Sequence, residues 1–375
     1  MIKNILRKIN LALRHPKTAY KFFLKDFWKK EKYYLFDFPV QITFFLTEKC
    51  NLKCPMCHVR DSREKILEKK SLPDLDILLL EKVFNECKDF GSAIQLVGGE
   101  PLLYPKLFQL LELAKKNNLI CSITTNGVLL KKYSKDIIDS GLEFLAVSLD
   151  SGDSSVHDVI RGVPGTFDRV IEGVDSILSL RGKSLFPRIH LRTVISKDSL
   201  ETFDNVLSIA GKMGIDDWSA SQFFFYPERL KNVVNSFADE CGAGKEIWGM
   251  PIAEENYFND EQIRKLESKL EQLKNKFKNS KIGCNIQKVG NLKKYYQGKP
   301  LAKNSFCNSP FWQIFIRQNG DIELCQGYII GNIKETSVYE VWHSDKAKHF
   351  RSLIEKNRIT PACFRCCAME KFQFE

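Results

Sequence analysis

The chain reads as an α/β protein built on a parallel barrel, with a small α+β domain at its carboxyl terminus. Two patterns predict this. Six strand-like apolar runs, Gln41 to Thr47, Ala93 to Val97, Leu119 to Thr124, Phe144 to Leu149, Ile189 to Ile195 and Trp218 to Phe225, alternate with segments of helical periodicity. Those segments are Ile77 to Cys87, Lys106 to Lys116, Tyr133 to Ser140, Phe167 to Leu180 and Phe203 to Gly211. Regular alternation of this kind places parallel strands side by side with helices packed outside them. Past residue 305 the pattern changes to a hairpin: a strand from Trp312 to Ile316, the turn Gln318-Asn319-Gly320, and a return strand ending at Cys325.

Four segments follow: an extension over 1–39, the barrel over 40–227, a helical connector over 228–305, and the terminal domain over 306–375. The extension mixes Lys3, Arg7, Lys8, Arg14 and Lys17 with Ile5, Leu6, Ile9, Leu11 and Leu13, then adds Phe22, Phe23, Phe27 and Trp28. Residues 1–34 suit an amphipathic membrane-surface element or helices packed outside the barrel; Pro16 interrupts the run and favours the second. In the connector, Asp260 to Lys278 carries Glu and Lys at offsets of three and four, the mark of a solvent-facing helix.

A chain of 375 residues with 43% hydrophobic content can fill one large core and a smaller attached one. Its twelve cysteines cluster at ligand-like spacings, no apolar signal segment opens the chain, and no run approaches a membrane span. A reducing, cytoplasmic setting is expected. The net charge of +11 is largely diffuse lysine without a nucleic-acid footprint, so solvated surface is its default reading.

Chemistry concentrates after the first strand, at Cys50, Cys54 and Cys57. Three thiolates on one loop can hold three corners of a cubic iron–sulfur cluster, and no fourth cysteine is near enough in sequence to complete it. A zinc knuckle is the alternative. The spacing resembles the signature of radical S-adenosylmethionine (SAM) enzymes, in which the open iron binds SAM and the reduced cluster cleaves it to a 5'-deoxyadenosyl radical. Gly98-Gly99-Glu100-Pro101 follows the second strand, as that family's second motif does, where glycines permit close backbone approach and a carboxylate can meet the SAM ammonium. The resemblance implies an open (β/α)6 partial barrel with ligands at the carboxyl ends of its strands.

Matching positions then suggest SAM contacts at Gly98, Gly99, Glu100, Asn126, Ser148 and Arg192, and a cavity-facing acid at Asp150. Helix capping at Ser148 or Asp150, a turn at Asn126-Gly127 and an inward salt bridge at Arg192 are the structural alternatives. His157 and Arg161-Gly162 resemble the segment after the fourth strand in members with a cysteine-rich extension; His157 reads as a local structural residue. Cys87, Cys121, Cys241 and Cys284 read as ordinary thiols.

Cys307, Cys325, Cys363 and Cys366 resemble the shortened SPASM or twitch extension, which implies an auxiliary [4Fe-4S] cluster with four protein ligands. A structural zinc site could use the same thiols. Cys367 could replace Cys366, or stay free as a hydrogen donor. The implied cofactors are two [4Fe-4S] clusters and SAM, with a flavodoxin- or ferredoxin-like electron donor.

Members of this architecture act on peptides, sugars and aminocyclitols. The short extension argues for a small sugar-like, cyclitol-like or lipid-linked substrate and net oxidation of an alcohol carbon, with Asp150 assisting deprotonation. Peptide modification and sugar epimerisation, with Cys367 or Cys241 as donor, are the runners-up. A non-catalytic electron-transfer protein is the third reading.

Overall fold

A computed structural model describes residues 2–27, 36–57, 73–223, 225–227, 230–240, 250–252, 258–278, 282–302, 305–325, 327–361, 363, 366 and 371–372. Two helices come first, α1 (Ile2–Arg14) and α2 (Pro16–Phe27), and Pro16 opens the second, where its missing amide donor costs nothing. The barrel half then runs β1 (Gln41–Phe45), α3 (Ile77–Phe90), β2 (Ala93–Val97), α4 (Leu107–Lys116), β3 (Cys121–Thr125), α5 (Leu130–Asp139) and β4 (Phe144–Ser148). It continues through α6 (Ser154–Arg161), α7 (Thr166–Arg181), β5 (Arg188–Ile195), α8 (Asn205–Met213) and β6 (Asp217–Gln222).

The expected connector contains β7 (Phe225–Pro227), α9 (Lys231–Glu240), β8 (Met250–Ile252), α10 (Asp260–Lys278), β9 (Gly283–Ile286), β10 (Lys288–Val289) and α11 (Leu292–Tyr296). The last part holds β11 (Gln313–Ile316), β12 (Asp321–Cys325), β13 (Tyr328–Asn332), α12 (Val338–Trp342), α13 (Asp345–Asn357) and β14 (Lys371–Phe372).

All six strands expected of the barrel lie side by side in chain order, but the sheet they form has ten strands, ordered β13-β12-β11-β1-β2-β3-β4-β5-β6-β9. Strands β1 to β6 are mutually parallel. At one flank β11 pairs parallel with β1, Gln41 opposite Gln313, so the terminal hairpin extends the barrel sheet. At the other, β9 pairs parallel with β6, so the connector contributes a barrel strand as well as helices. The order is linear, and the barrel is open among the described residues.

Period-two alternation sorts the strands into two faces. Ile42, Phe44, Ile94, Leu96, Ile123, Leu145, Val147, Ile189, Leu191 and Trp218 are buried under the outer helices. The inner face carries Gln95, Ser122, Thr124, Ala146, His190, Arg192 and Asn285, which line a cavity of about 910 Å³ that Leu11 of α1 and Phe22 and Phe23 of α2 border at the amino ends of the strands. Polar residues at alternate positions thus make the lumen a binding space, while their neighbours make the core.

Helices α1 and α2 sit across the amino ends of the strands. Arg7 is buried, donating to Leu185 O (2.8 Å) and pairing with Asp216 (2.6 Å), the residue before β6. Arg14 and His15 reach Glu143, just before β4, at 3.3 and 3.5 Å. Arg181 also pairs with Asp216. Burial opposes ionisation of Asp216, but hydrogen bonds from Ile189 N and Arg7 and the charges of Arg181 and Arg7 outweigh it, holding its carboxyl below the usual range. The extension therefore packs on the barrel, the plainer of its two expected roles. No described helix is long and apolar enough to cross a membrane.

Candidate active site at the carboxyl ends of the strands

The loop after β1 brings Cys50, Cys54 and Cys57 into one neighbourhood, with Cys57 N donating to Cys54 O at 3.2 Å. Cys54 is buried. Burial pushes its thiol up, the Arg161 charge opposes this, and the nearby Cys57 and Cys50 reinforce it. Three converging thiols, one held out of water beside a guanidinium, fit a cluster that binds them as thiolates.

The surrounding loops hold this segment by backbone contact. Gly98 and Gly99 are required there: a Cβ on Gly98, at φ +150°, would stand 2.7 Å from Thr47 O, and one on Gly99 would stand 2.3 Å from Lys49 O. Gly99 N donates to Thr47 O (2.7 Å) and Glu100 N to Lys49 O (2.8 Å). The close approach foreseen for these glycines is thus made to the cysteine loop. The Glu100 carboxylate is fully buried and accepts from Leu102 N (3.0 Å), Thr125 Oγ1 (2.7 Å) and Asn126 N (2.7 Å). It ties the β2 loop to the β3 loop. Asn126 passes the contact on, its Nδ2 lying 2.8 Å from Asn51 Oδ1 and 3.8 Å from Cys50 Sγ.

A second clamp comes from the loop and helix after β4. Arg161 O accepts from Lys53 N (3.1 Å) and from Cys54 Sγ (3.7 Å), and a Cβ on Gly162 would meet Lys53 O at 2.4 Å. The Arg161 side chain turns back to Asp150, Nη2 to Oδ2 2.6 Å, while Asp150 Oδ1 accepts from Val194 N at 3.0 Å. Asp150 is fully buried. Its carboxylate faces an arginine and a strand, where the sequence suggested a cavity-facing acid or a helix cap. His157 Nδ1 accepts from Asp150 N (3.2 Å), and burial with the Arg161 charge lowers its pKa to about 4, which keeps the ring neutral. That is the local structural task expected of it. Asp150 and Arg161, eleven residues apart, were each visible in the sequence; their pairing was not.

Ser148 ends β4 opposite Arg192 of β5, and Arg192 lines the lumen. Cys367 and Cys241, the expected hydrogen donors, lie outside the described residues.

The second thiol set assembles from distant segments. Cys307 and Cys363, both buried, share a hydrogen bond, and Cys325 lies close enough to raise the Cys307 pKa. That hydrogen bond to Cys363 is the largest cause of the Cys307 shift, with burial next. The Cys363 thiol is lowered to about 7: its bond from Cys307 leads, burial opposes it, and Thr360 assists through its amide (3.2 Å) and hydroxyl (3.3 Å). Cys366 N donates to Cys363 O at 3.4 Å, placing the fourth expected thiol on the same turn. A buried thiol drawn toward thiolate beside two others suits a metal or cluster ligand set. Among the described residues no group of three or more His, Cys, Asp or Glu side chains is already drawn up as a metal site.

An open parallel barrel with a polar lumen, a three-thiol loop after its first strand and a second thiol set in an appended hairpin defines a cluster-bearing barrel enzyme. Residues 44–221 match the model of the radical SAM superfamily, and residues 307–367 that of the SPASM iron–sulfur cluster-binding domain. An AdoMet-dependent heme synthase of Nitratidesulfovibrio vulgaris is 23% identical over 340 residues, 87% of this chain and 84% of that protein. Among solved structures, Streptococcus suis SuiB bound to its precursor peptide SuiA superposes with a TM-score of 0.62 at 17% identity, covering 95% of this chain and 79% of that one. The structure of anSMEcpe with bound AdoMet and Cp18Cys peptide gives 0.59 at 18% identity, covering 88% of each. The chain carries a radical SAM superfamily catalytic domain followed by a SPASM-type iron–sulfur domain, and it is an enzyme of that class.

Proposed function

We propose that the chain abstracts hydrogen from a peptide substrate laid along the open side of the barrel, in a reaction that begins with reductive cleavage of SAM. The observation that carries this reading is β9. It ends the sheet among the described residues, and its Gly283, Cys284 and Asn285 also line the lumen. An edge strand beside the barrel interior offers backbone donors and acceptors to an extended chain, the usual basis of strand addition. Similarity to SuiB and anSMEcpe, both solved with peptides bound, supports the same class. This reverses the preference drawn from the sequence, in which the short extension favoured a sugar-like substrate.

Cys50, Cys54 and Cys57 would hold one [4Fe-4S] cluster, and Cys307, Cys325, Cys363 and Cys366 an auxiliary one. When bound, the first cluster and SAM supply the oxidising radical, and the second supplies an electron acceptor. The chain's own work is positional. Gly98, Gly99, Glu100, Asn126, Arg161 and Gly162 fix the cysteine loop, and Arg192, paired in register with Ser148, presents a polar group at the lumen wall. The outer apolar layer shields that space from water.

Anaerobic reaction with SAM, reductant and a panel of cysteine-, serine- and threonine-containing peptides tests the reading. Substrate deuterium should appear in 5'-deoxyadenosine, and the peptide should lose about 2 Da if, after one hydrogen atom goes to the radical, a proton leaves to solvent and the auxiliary cluster takes the one remaining electron. Turnover of a glycoside or cyclitol to a ketone, with every peptide unchanged, would favour the small-molecule reading. The lumen volume near 910 Å³, at the upper end for small-molecule sites, is the observation on its side.

A further inference from the structure

We infer that α1 and α2 dock the enzyme on an anionic membrane surface, with the amino ends of the barrel strands toward the lipid. The inference rests on which side of α1 the fold turns inward. Arg7, the helix's buried cation, is locked to Asp216 and Leu185 O, and Arg14 and the adjoining His15 are held at Glu143 and Asn118 O. These anchors leave the opposite side of the helix outward. That side carries Leu6, Ile9 and Leu13, spaced three and four residues apart, which are 50%, 50% and 78% exposed.

The next helix adds Tyr20, at 62%; Phe23, 64% exposed, stands at the rim of the barrel cavity. Five of the eleven exposed large hydrophobic residues among those described thus fall within α1 and α2. A helix that only covered a barrel would turn those side chains in and its arginine out. The arrangement is the reverse, and three aliphatic side chains in one outward row need an apolar medium.

Charge selects the medium. Residues 1–25 contain seven Lys and Arg and no Asp or Glu. Arg7 is held by Asp216, and burial lowers Lys21 to about 8 against the attraction of Asp37, but Lys8 and Lys17 are exposed on the same two helices, Lys17 with its ammonium at Asp89 O, and Arg14 keeps 43% of its side chain exposed while it pairs with Glu143. Aliphatic side chains entering the acyl boundary with lysines and arginines at headgroup level form an interfacial helix that prefers anionic lipid. A protein partner would have to present an acidic rim around an apolar groove; a second copy of this chain would bring the same positive charge and be repelled.

Flotation of the full-length, cluster-loaded chain with vesicles tests this. Binding to phosphatidylcholine vesicles containing phosphatidylserine should exceed binding to phosphatidylcholine alone at least tenfold and weaken as salt rises. Leu13→Glu, at a site already 78% exposed, should lower it about tenfold, and Ile9→Glu with Leu13→Glu should abolish it, with thermal unfolding and SAM cleavage unchanged. No flotation with anionic vesicles, or flotation indifferent to both variants, overturns the inference. So does a dimer in sedimentation that Leu13→Glu dissolves, which would assign the row to a second copy.

Discussion

The two thiol sets are built in opposite ways. Cys50, Cys54 and Cys57 come from eight consecutive residues and are gripped from outside by the backbone of two other loops and the Asn126 side chain of a third. Cys307, Cys325 and Cys363 come from segments up to 56 residues apart and meet because the hairpin core brings them together, each buried or half-buried. A local set needs only its loop to be held still. A distributed set needs its whole domain folded first. The first should therefore fail by loss of position and the second by loss of fold.

The largest expected effect separates the two directly. Replacing Cys50, Cys54 and Cys57 by alanine should abolish SAM cleavage and remove about four of roughly eight irons per chain, with thermal unfolding little changed. Replacing Cys307 and Cys363 should remove a similar number of irons and also lower the melting temperature, because two buried core residues are lost with them. Equal melting temperatures for the two variants would break the comparison.

Next comes the clamp. Arg161→Met leaves Asp150 charged and buried without its partner, a change that costs about 3–5 kcal/mol in such pairs. Asp150→Asn keeps the shape and should cost less. If Asp150 were instead the catalytic base, Asp150→Asn would remove turnover with substrate while sparing iron content and uncoupled SAM cleavage. Gly99→Ala drives a methyl group against Lys49 O and should cost about 2–4 kcal/mol, with the iron of the first set lost before that of the second.

The smallest effect is a pH dependence. His157 is held neutral in the fold with a pKa of about 4, against about 6.5 when unfolded. The unfolded chain binds the extra proton first, so stability is full above pH 6.5 and falls as pH drops toward 4. The loss between pH 6.5 and 5 should be about 1–2 kcal/mol, and His157→Asn should flatten that slope in thermal unfolding curves. His190, lowered to about 3 by burial and by Arg192 and Arg188, adds a similar slope that the variant would leave in place.

Legibility in the sequence followed the same division. The six barrel strands and the three-thiol loop were readable because their signals are local: alternation, apolar runs and spacing. Glu100 and Asp150 were visible as acids at strand ends, yet their partners Thr125, Asn126 and Arg161 are set by how neighbouring loops stack, which no single segment encodes. Strand β9 was missed because Gly283-Cys284-Asn285-Ile286 lacks an alternating pattern; it is a strand because the edge of β6 supplies its ladder. Ile5, Leu6, Ile9, Leu11 and Leu13 were visible as apolar residues among basic ones, but which of them face out, as Leu6, Ile9 and Leu13 do, depends on Arg7 meeting Asp216.

The parallel pairing of β1 with β11 fixes more than the sheet order. Gln41 stands beside Gln313, so the Cys50 loop leaves at the carboxyl end of the ladder while Cys307 enters at its amino end. Phe315 opposite Glu323 sends β12 back toward that amino end, and Cys325 closes it there. The two thiol sets thus lie beyond opposite ends of a ladder of four residue pairs, about 10 Å long at about 3.3 Å per rise. Were both sets to hold redox centres, an electron passing from a substrate beside the first to the second would have to cross the length of this sheet.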